Sequence, residues 1–118
     1  MKVVVSGAAG FVGKMVSQRL EDAGAEVTEL RRSVPKSPAL RHTIEADVLD
    51  YPSALRHSDA QVFVHLAGVT GRGKSRGLQD AEVHRVNIGG TAAALEACLL
   101  YTSPSPRDAT LSRMPSSA

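Results

Sequence analysis

Cys98 is the only cysteine in the sequence, which excludes an internal disulfide and suits a reducing, cytoplasmic setting. Long apolar runs are also missing. The valines at 3 to 5 are cut off by Ser6-Gly7, too soon for a signal h-region or a membrane span. Neither sign of charge is concentrated: fourteen Lys and Arg and twelve Asp and Glu, net +2, are mixed along the chain. No basic stripe therefore points to nucleic acid or an anionic membrane as a partner. There is no G-x-S-x-G elbow, no H-E-x-x-H, and no cysteine or histidine spacing suited to a metal. At 118 residues the chain holds one domain at most.

What is present is an alternation. KVVVS (2–6) is a β-branched run bounded by glycine, as expected of a strand buried on both faces. From Phe11 the apolar Val12, Met15, Val16, Leu20 and Ala23 recur at helical spacing, and Gly24 supplies a left-handed stop. AEVTEL (25–30) reads as a second strand, TIEADV (43–48) as a third, and QVFVHLA (61–67) as a fourth. Between the last two, Asp50-Tyr51-Pro52-Ser53 opens a short helix to about His57, with proline near its start. A glycine-rich, basic loop runs from Gly68 to about Gln79, and Asp80 begins a long helix ending near Ala97. This order predicts an α/β fold with a doubly wound, parallel, Rossmann-like sheet, cut short after the fourth strand and the helix that follows it.

The chemistry gathers in the first turn, SGAAGFVG. A pyrophosphate needs main-chain amides aimed at it from a helix N-terminus, and side chains on the turn would block its approach. In Gly7-x-x-Gly10-x-x-Gly13, Gly7 makes the turn, Gly10 lets a cofactor close in, and Gly13 lets helix and strand touch. After an apolar strand and at the start of an amphipathic helix, the triplet predicts dinucleotide binding; a purely structural turn is the plain alternative.

Four stretches in order carry a family resemblance: GAAGFVG (7–13), ADVLD (46–50), HLAG (65–68) and VNIGGT (86–91). Over residues 1–97 the chain resembles the N-terminal half of the extended short-chain dehydrogenases/reductases, the NAD-dependent epimerase/dehydratase group. The resemblance implies that Gly7, Ala9, Gly10, Phe11, Val12 and Gly13 form the phosphate turn. It implies that Asp47 bonds the adenine amino group with Val48 beside it through its main chain. Leu66, Ala67 and Gly68 would then line the ribose and nicotinamide side, and Asn87 would be the helix asparagine near the active site. For the full-length parent it implies an oxidoreductase, epimerase or dehydratase acting on a nucleotide sugar or similar substrate, working as a homodimer. The family's Tyr-x-x-x-Lys pair, which exchanges a proton with substrate, is missing: Tyr51 is followed four places on by Leu55 and Tyr101 by Ser105. The chain alone is therefore expected to bind a dinucleotide without catalysis, and a non-catalytic redox-sensing module is a second reading.

Each residue has a plainer rival. Asp47 reads equally as a strand-end carboxylate, Asn87 as a solvent-facing helix residue, and His65 as a packed core histidine with no partner visible in the sequence. Gly89 and Gly90 each cost about 1 kcal/mol in a helix interior, which close packing against the sheet would offset. Arg31 and Arg32 at the end of the second strand predict NADP over NAD, since arginine serves the 2′-phosphate. Glu29 is the complication, because an acidic side chain there would suit the ribose of NAD. A rival phosphate site is Gly68–Ser75, which fits G-x-x-x-x-G-K-[ST] after an apolar strand and would make the chain a nucleotide hydrolase. Against it, a P-loop runs straight into its helix, whereas here helical pattern returns only near Asp80.

Residues 98–118 break the pattern. CLLYTSPSPRD (98–108) is one reading frame of a widely used transposase sequencing adapter, and SRMPSSA (112–118) translates the constant sequence beyond its index. Ala109-Thr110-Leu111 fall where the index sits, so eighteen of the twenty-one residues match a synthetic oligonucleotide. The expectation is a partial NAD(P)-binding domain over 1–97 and a non-native, disordered tail over 98–118.

Overall fold

Three consecutive valines fix the middle of the sheet. In the computed structural model, which describes residues 1–33, 41–70, 77 and 79–101, Lys2–Ser6 is strand β1 and Val3 to Ser6 are at most 2% exposed. Strand side chains alternate, and here both faces are apolar. Val3 and Val5 pack with Ala8 and Val27 on one side, against Leu20 of the helix α1 (Phe11–Asp22). Val4 faces the other side, in a cluster with Leu30, Tyr51, Leu55 and the alanines 93, 94 and 97. Helices thus cover both faces of β1.

Strand β1 pairs with β2 (Glu26–Arg31) on one side and with β4 (Val62–His65) on the other, and β3 (His42–Glu45) pairs with the outer edge of β2. All pairings are parallel, in the order β3-β2-β1-β4. The chain leaves β1 to one side and later returns to its other side, so the C-terminal ends of β1 and β4 flank a topological switch point. In open parallel sheets, ligands bind there.

Several elements depart from the expected pattern, the fourth strand being shorter than expected, at Val62–His65. The third strand ends at Glu45, short of Val48, because Asp47 leaves the ladder to head a 3₁₀ turn over Val48–Asp50. Its main chain is extended at φ −74°, ψ 159°, and its carbonyl accepts the Asp50 amide at 2.9 Å. The turn leads into the short helix α2 (Tyr51–Ala54), which also ends before His57. The long helix is composite: α3 (Asp80–His84), a π-helical segment (Arg85–Gly89), then α4 (Gly90–Tyr101). Its two glycines do allow close packing, but against the 3₁₀ turn and not the sheet. A Cβ on Gly89 would lie 2.9 Å from Leu49 Cδ2, and one on Gly90 would lie 3.2 Å from Val48 Cβ. Single turns of π-helix often sit at functional sites.

Helix α4 continues through Tyr101, four residues beyond the expected boundary at Ala97. Once nucleated, a helix propagates through residues such as Leu99 and Leu100 at little cost. Among the described residues no helix is long and apolar enough to cross a membrane.

Candidate functional site: a cleft at the switch point

The glycine turn is built by backbone contacts. Gly7 has φ +71°, a conformation that suits glycine, and a Cβ there would lie 2.7 Å from the Ala67 amide nitrogen and the Leu66 carbonyl carbon. Gly13 is tighter still, since its Cβ would lie 2.0 Å from the Gly7 carbonyl oxygen. Gly10 is different. Its φ of −76° and ψ of 171° suit any residue, and an added Cβ would meet only Gly7 O, at an ordinary 3.4 Å. The protein's own packing thus explains two of the three glycines, and the third faces open space.

Gly10 is also the N-cap of α1, with no side-chain cap, and the Lys14 amide makes the first intrahelical bond to its carbonyl at 3.0 Å. The amides of Phe11, Val12 and Gly13 have no acceptor in the helix, and the positive end of the helix dipole lies there. The Phe11 and Val12 side chains themselves are exposed and do not line the adjoining cleft.

This turn forms one wall of a cleft enclosing about 1020 Å³ of space open to solvent. Gly7, Ala9 and Gly10 line it from the turn, Arg31 and Arg32 from the end of β2, and Asp47 and Val48 from the end of β3. Leu66, Ala67 and Gly68 line it from the end of β4. Ten of the fourteen residues singled out from sequence therefore meet at one surface. Val69 and Tyr51 also line it, as does Val86, the first residue of the VNIGGT stretch.

Asn87 does not line the cleft. Its Nδ2 donates to the Val69 carbonyl at 2.6 Å and its Oδ1 accepts the Val69 amide at 2.8 Å. Both polar ends of the side chain clasp one residue of the loop after β4. It shapes the wall from behind.

His65 has a partner that the sequence hid. Ser6 Oγ accepts the amides of Leu66 at 3.1 Å and Ala67 at 3.2 Å, and it lies 2.7 Å from His65 Nδ1. Burial pushes the His65 pKa below its ordinary value, and the ring packs edge-on to Phe63 and Tyr51 at 6.0 Å each. The neutral core histidine is the reading the geometry supports, with Ser6 binding the end of β1 to the wall strand.

At the β2 end, the two arginines separate. Arg31 turns back to Glu29 at 3.5 Å, while Arg32 is exposed. Glu29 is buried and lies outside the cleft wall, because strand alternation puts it on the α1 face. There it pairs with Arg41, whose guanidinium also holds Glu21 of α1 at 2.7 Å. The ribose role raised for Glu29 is thereby corrected to a structural one. Across the cleft, Asp47 Oδ2 accepts from Arg85 Nη1 at 3.0 Å, and this bond is the main cause holding the Asp47 carboxyl below its usual range. Of the P-loop-like stretch, residues 71–75 lie outside the described residues, and the next helix begins at Asp80. Among the described residues, no group of three or more His, Cys, Asp or Glu is placed to hold a metal ion.

A sequence profile described as the NAD dependent epimerase/dehydratase family matches residues 3–109. The chain belongs to that family. It is 29% identical over 108 residues to the dTDP-6-deoxy-L-talose 4-dehydrogenase (NAD(P)(+)) of Kitasatospora kifunensis, covering 87% of this chain and 32% of that protein. The fold matches the ligand-free aldohexose dehydrogenase of Thermoplasma acidophilum with a TM-score of 0.69 at 26% identity, over 85% of this chain and 43% of the other. It matches MoeE5, solved with UDP-glucuronic acid and NAD, with a TM-score of 0.65 at 29% identity, over 84% and 33%. The chain spans about a third of the length of the curated dehydrogenase.

Proposed function

We propose that this chain is the dinucleotide-binding part of an NAD(P)-dependent enzyme that oxidises, epimerises or dehydrates a nucleotide sugar or a similar hydroxyl or carbonyl substrate. Gly10 carries the proposal: a glycine that the protein's own packing does not require, at an uncapped helix N-terminus, lining the cleft at the switch point. The Phe11 and Val12 amides would hold the pyrophosphate, and Asp47 would accept from the adenine amino group. Leu66, Ala67 and Gly68 would face the ribose and nicotinamide, on a loop that Asn87 and Ser6 keep in place. When bound, the nicotinamide supplies a hydride acceptor or donor. This chain's residues bind and orient it, and the groups that move the substrate proton are assigned to the rest of the parent protein.

The preferred cofactor in this reading is NADP. Arg32 is exposed at the cleft, and Glu29, the acidic residue that would repel a 2′-phosphate, is buried against Arg41 beneath α1. Titrating the purified 118-residue chain with NADPH and NADH, by nicotinamide fluorescence and by calorimetry, tests both levels. Binding of neither refutes the site, and tighter binding of NADH refutes the preference.

The segment after Ala97 is assigned in this reading to adapter sequence and not to the natural protein. A helix through Tyr101 is compatible with that origin, since CLLY extends a helix whatever its source, while the profile match reaching residue 109 stands on the other side. Sequencing the source DNA from a library made without transposase adapters decides it. A reading frame in which CLLYTSPSPRD persists would refute the assignment.

A further inference from the structure

Arg85 is the residue of the cleft region that no motif marks. It opens the π-helical segment and each nitrogen of its guanidinium makes a bond: Nη1 donates to Asp47 Oδ2 at 3.0 Å, while Nε and Nη2 donate to Glu82 Oε1 at 2.9 and 2.6 Å. Helical residues succeed one another at about 100°, so Val86, which lines the cleft, has a neighbour pointing to either side. Arg85 reaches the end of β3 through Asp47, and Asn87 reaches the end of β4 through Val69. The segment is a brace between the two strand ends that form opposite walls of the cleft. The Asn87 arm holds main chain. The Arg85 arm holds a carboxylate that lines the cleft, and that carboxylate belongs to a residue heading a three-residue turn with no side-chain cap bond of its own.

We infer that Arg85 is a positioning residue that sets base selectivity: by fixing the Asp47 carboxylate it makes the cleft accept a purine bearing an exocyclic amino donor and reject one bearing a carbonyl. The inference rests on the dinucleotide reading above. An ionised carboxylate only accepts hydrogen bonds, so it pairs with the 6-amino group of adenine and repels the 6-carbonyl of hypoxanthine. A site built around one such pairing rejects the mismatched group strongly only while its polar atoms are held in place. Glu82 offsets the charge of Arg85, so the guanidinium acts on Asp47 as an anchor and does not add attraction for the dinucleotide phosphates. Arg85, Asp47 and Glu82 are each a third or more exposed on their side chains, so the anchor is worth a modest factor, discounted for solvent.

The test measures dissociation constants of NADPH and its hypoxanthine analogue for the 118-residue chain and for Arg85→Met, Arg85→Lys and Asp47→Asn, with circular dichroism as the check on folding. The wild-type chain should prefer the adenine form. Arg85→Met should reduce that preference by about two- to fivefold, by weakening the adenine form alone, and Arg85→Lys should restore part of it. In Asp47→Asn, whose amide can donate to a carbonyl, the preference should vanish or invert, and adding Arg85→Met should then change nothing further. Arg85→Met lowering both affinities equally would overturn the inference, because a merely structural arginine or a direct phosphate contact does not distinguish the bases. Binding of neither dinucleotide to the wild-type chain would instead overturn the dinucleotide reading, and the inference with it.

Discussion

Replacing Gly10 with alanine separates a glycine kept for the fold from one kept for a ligand. Its backbone, at φ −76° and ψ 171°, suits alanine, and the new methyl meets only the Gly7 carbonyl oxygen at 3.4 Å. Alanine is a poorer N-cap than glycine by about 0.5–1 kcal/mol, and it restricts the unfolded chain by about 0.4–1 kcal/mol in the opposite direction. The net change in stability should fall within about 0.5 kcal/mol of zero. Binding should respond very differently, because the methyl stands in the cleft where the pyrophosphate has to reach the Phe11 and Val12 amides. A forced displacement costs about 1–3 kcal/mol, and each lost charge-assisted hydrogen bond about 1.5–3 kcal/mol. Together these are worth about a hundredfold or more in affinity. Two controls bracket the result. Gly13→Ala, whose Cβ would sit 2.0 Å from a backbone oxygen, should lose the fold and binding together. Gly24→Ala, at φ +95° with nothing within 4 Å, should cost about 1 kcal/mol of stability and leave binding intact. Urea unfolding and NADPH fluorescence on the same preparations read both quantities. A Gly10→Ala chain that binds NADPH as the wild type does would refute the assignment of the cleft.

Ser6→Ala should destabilise the chain by about 1–3 kcal/mol in urea unfolding, because it leaves the Ala67 amide and His65 Nδ1 without their shared partner, while the Leu66 amide keeps the Ser6 carbonyl at 3.2 Å; a loss under about 1 kcal/mol would show that water replaces the hydroxyl. His65 makes stability depend on pH. Its folded pKa is lowered, so the unfolded chain takes up the proton first, and stability is fully present above the ordinary value of 6.5 and lost as pH falls through it. The slope from this group is at most about 1.4 kcal/mol per pH unit, and it should be absent in His65→Gln. Arg32→Ala should weaken NADPH about tenfold and leave NADH unchanged, whereas Arg31→Ala, already turned to Glu29, should have the smaller effect on NADPH; equal effects would remove the distinction between them.

The parts of the molecule legible in the sequence are those where one residue's demand is local. Gly13 and the positive φ of Gly7 are required by a turn that closes within seven residues, and the valines of β1 announce a strand buried on both faces without reference to anything distant. The cleft followed from these, since a parallel sheet brings the ends of β1, β3 and β4 to one edge whatever their exact limits. What stayed hidden depends on pairs far apart in sequence. Ser6 meets His65 at a separation of 59 residues and Arg85 meets Asp47 at 38, and neither pairing leaves a mark on the residues beside it.

Asn87, Gly89 and Gly90 show how a correct motif can carry an incomplete reason. The stretch VNIGGT suggested a helix with an asparagine turned toward a cofactor and two glycines pressed on the sheet. In the structure the glycines admit Leu49 and Val48 of the turn that Asp47 heads, and the asparagine clasps the main chain of Val69. One segment therefore fixes the two loops between which the cleft opens, and it does so with main-chain contacts and small residues that any dinucleotide-binding relative could share. Arg85 is the part of the segment that reaches a side chain lining the cleft. Selectivity among bases is accordingly sought at Arg85, and the shape of the cleft at Asn87 and the two glycines.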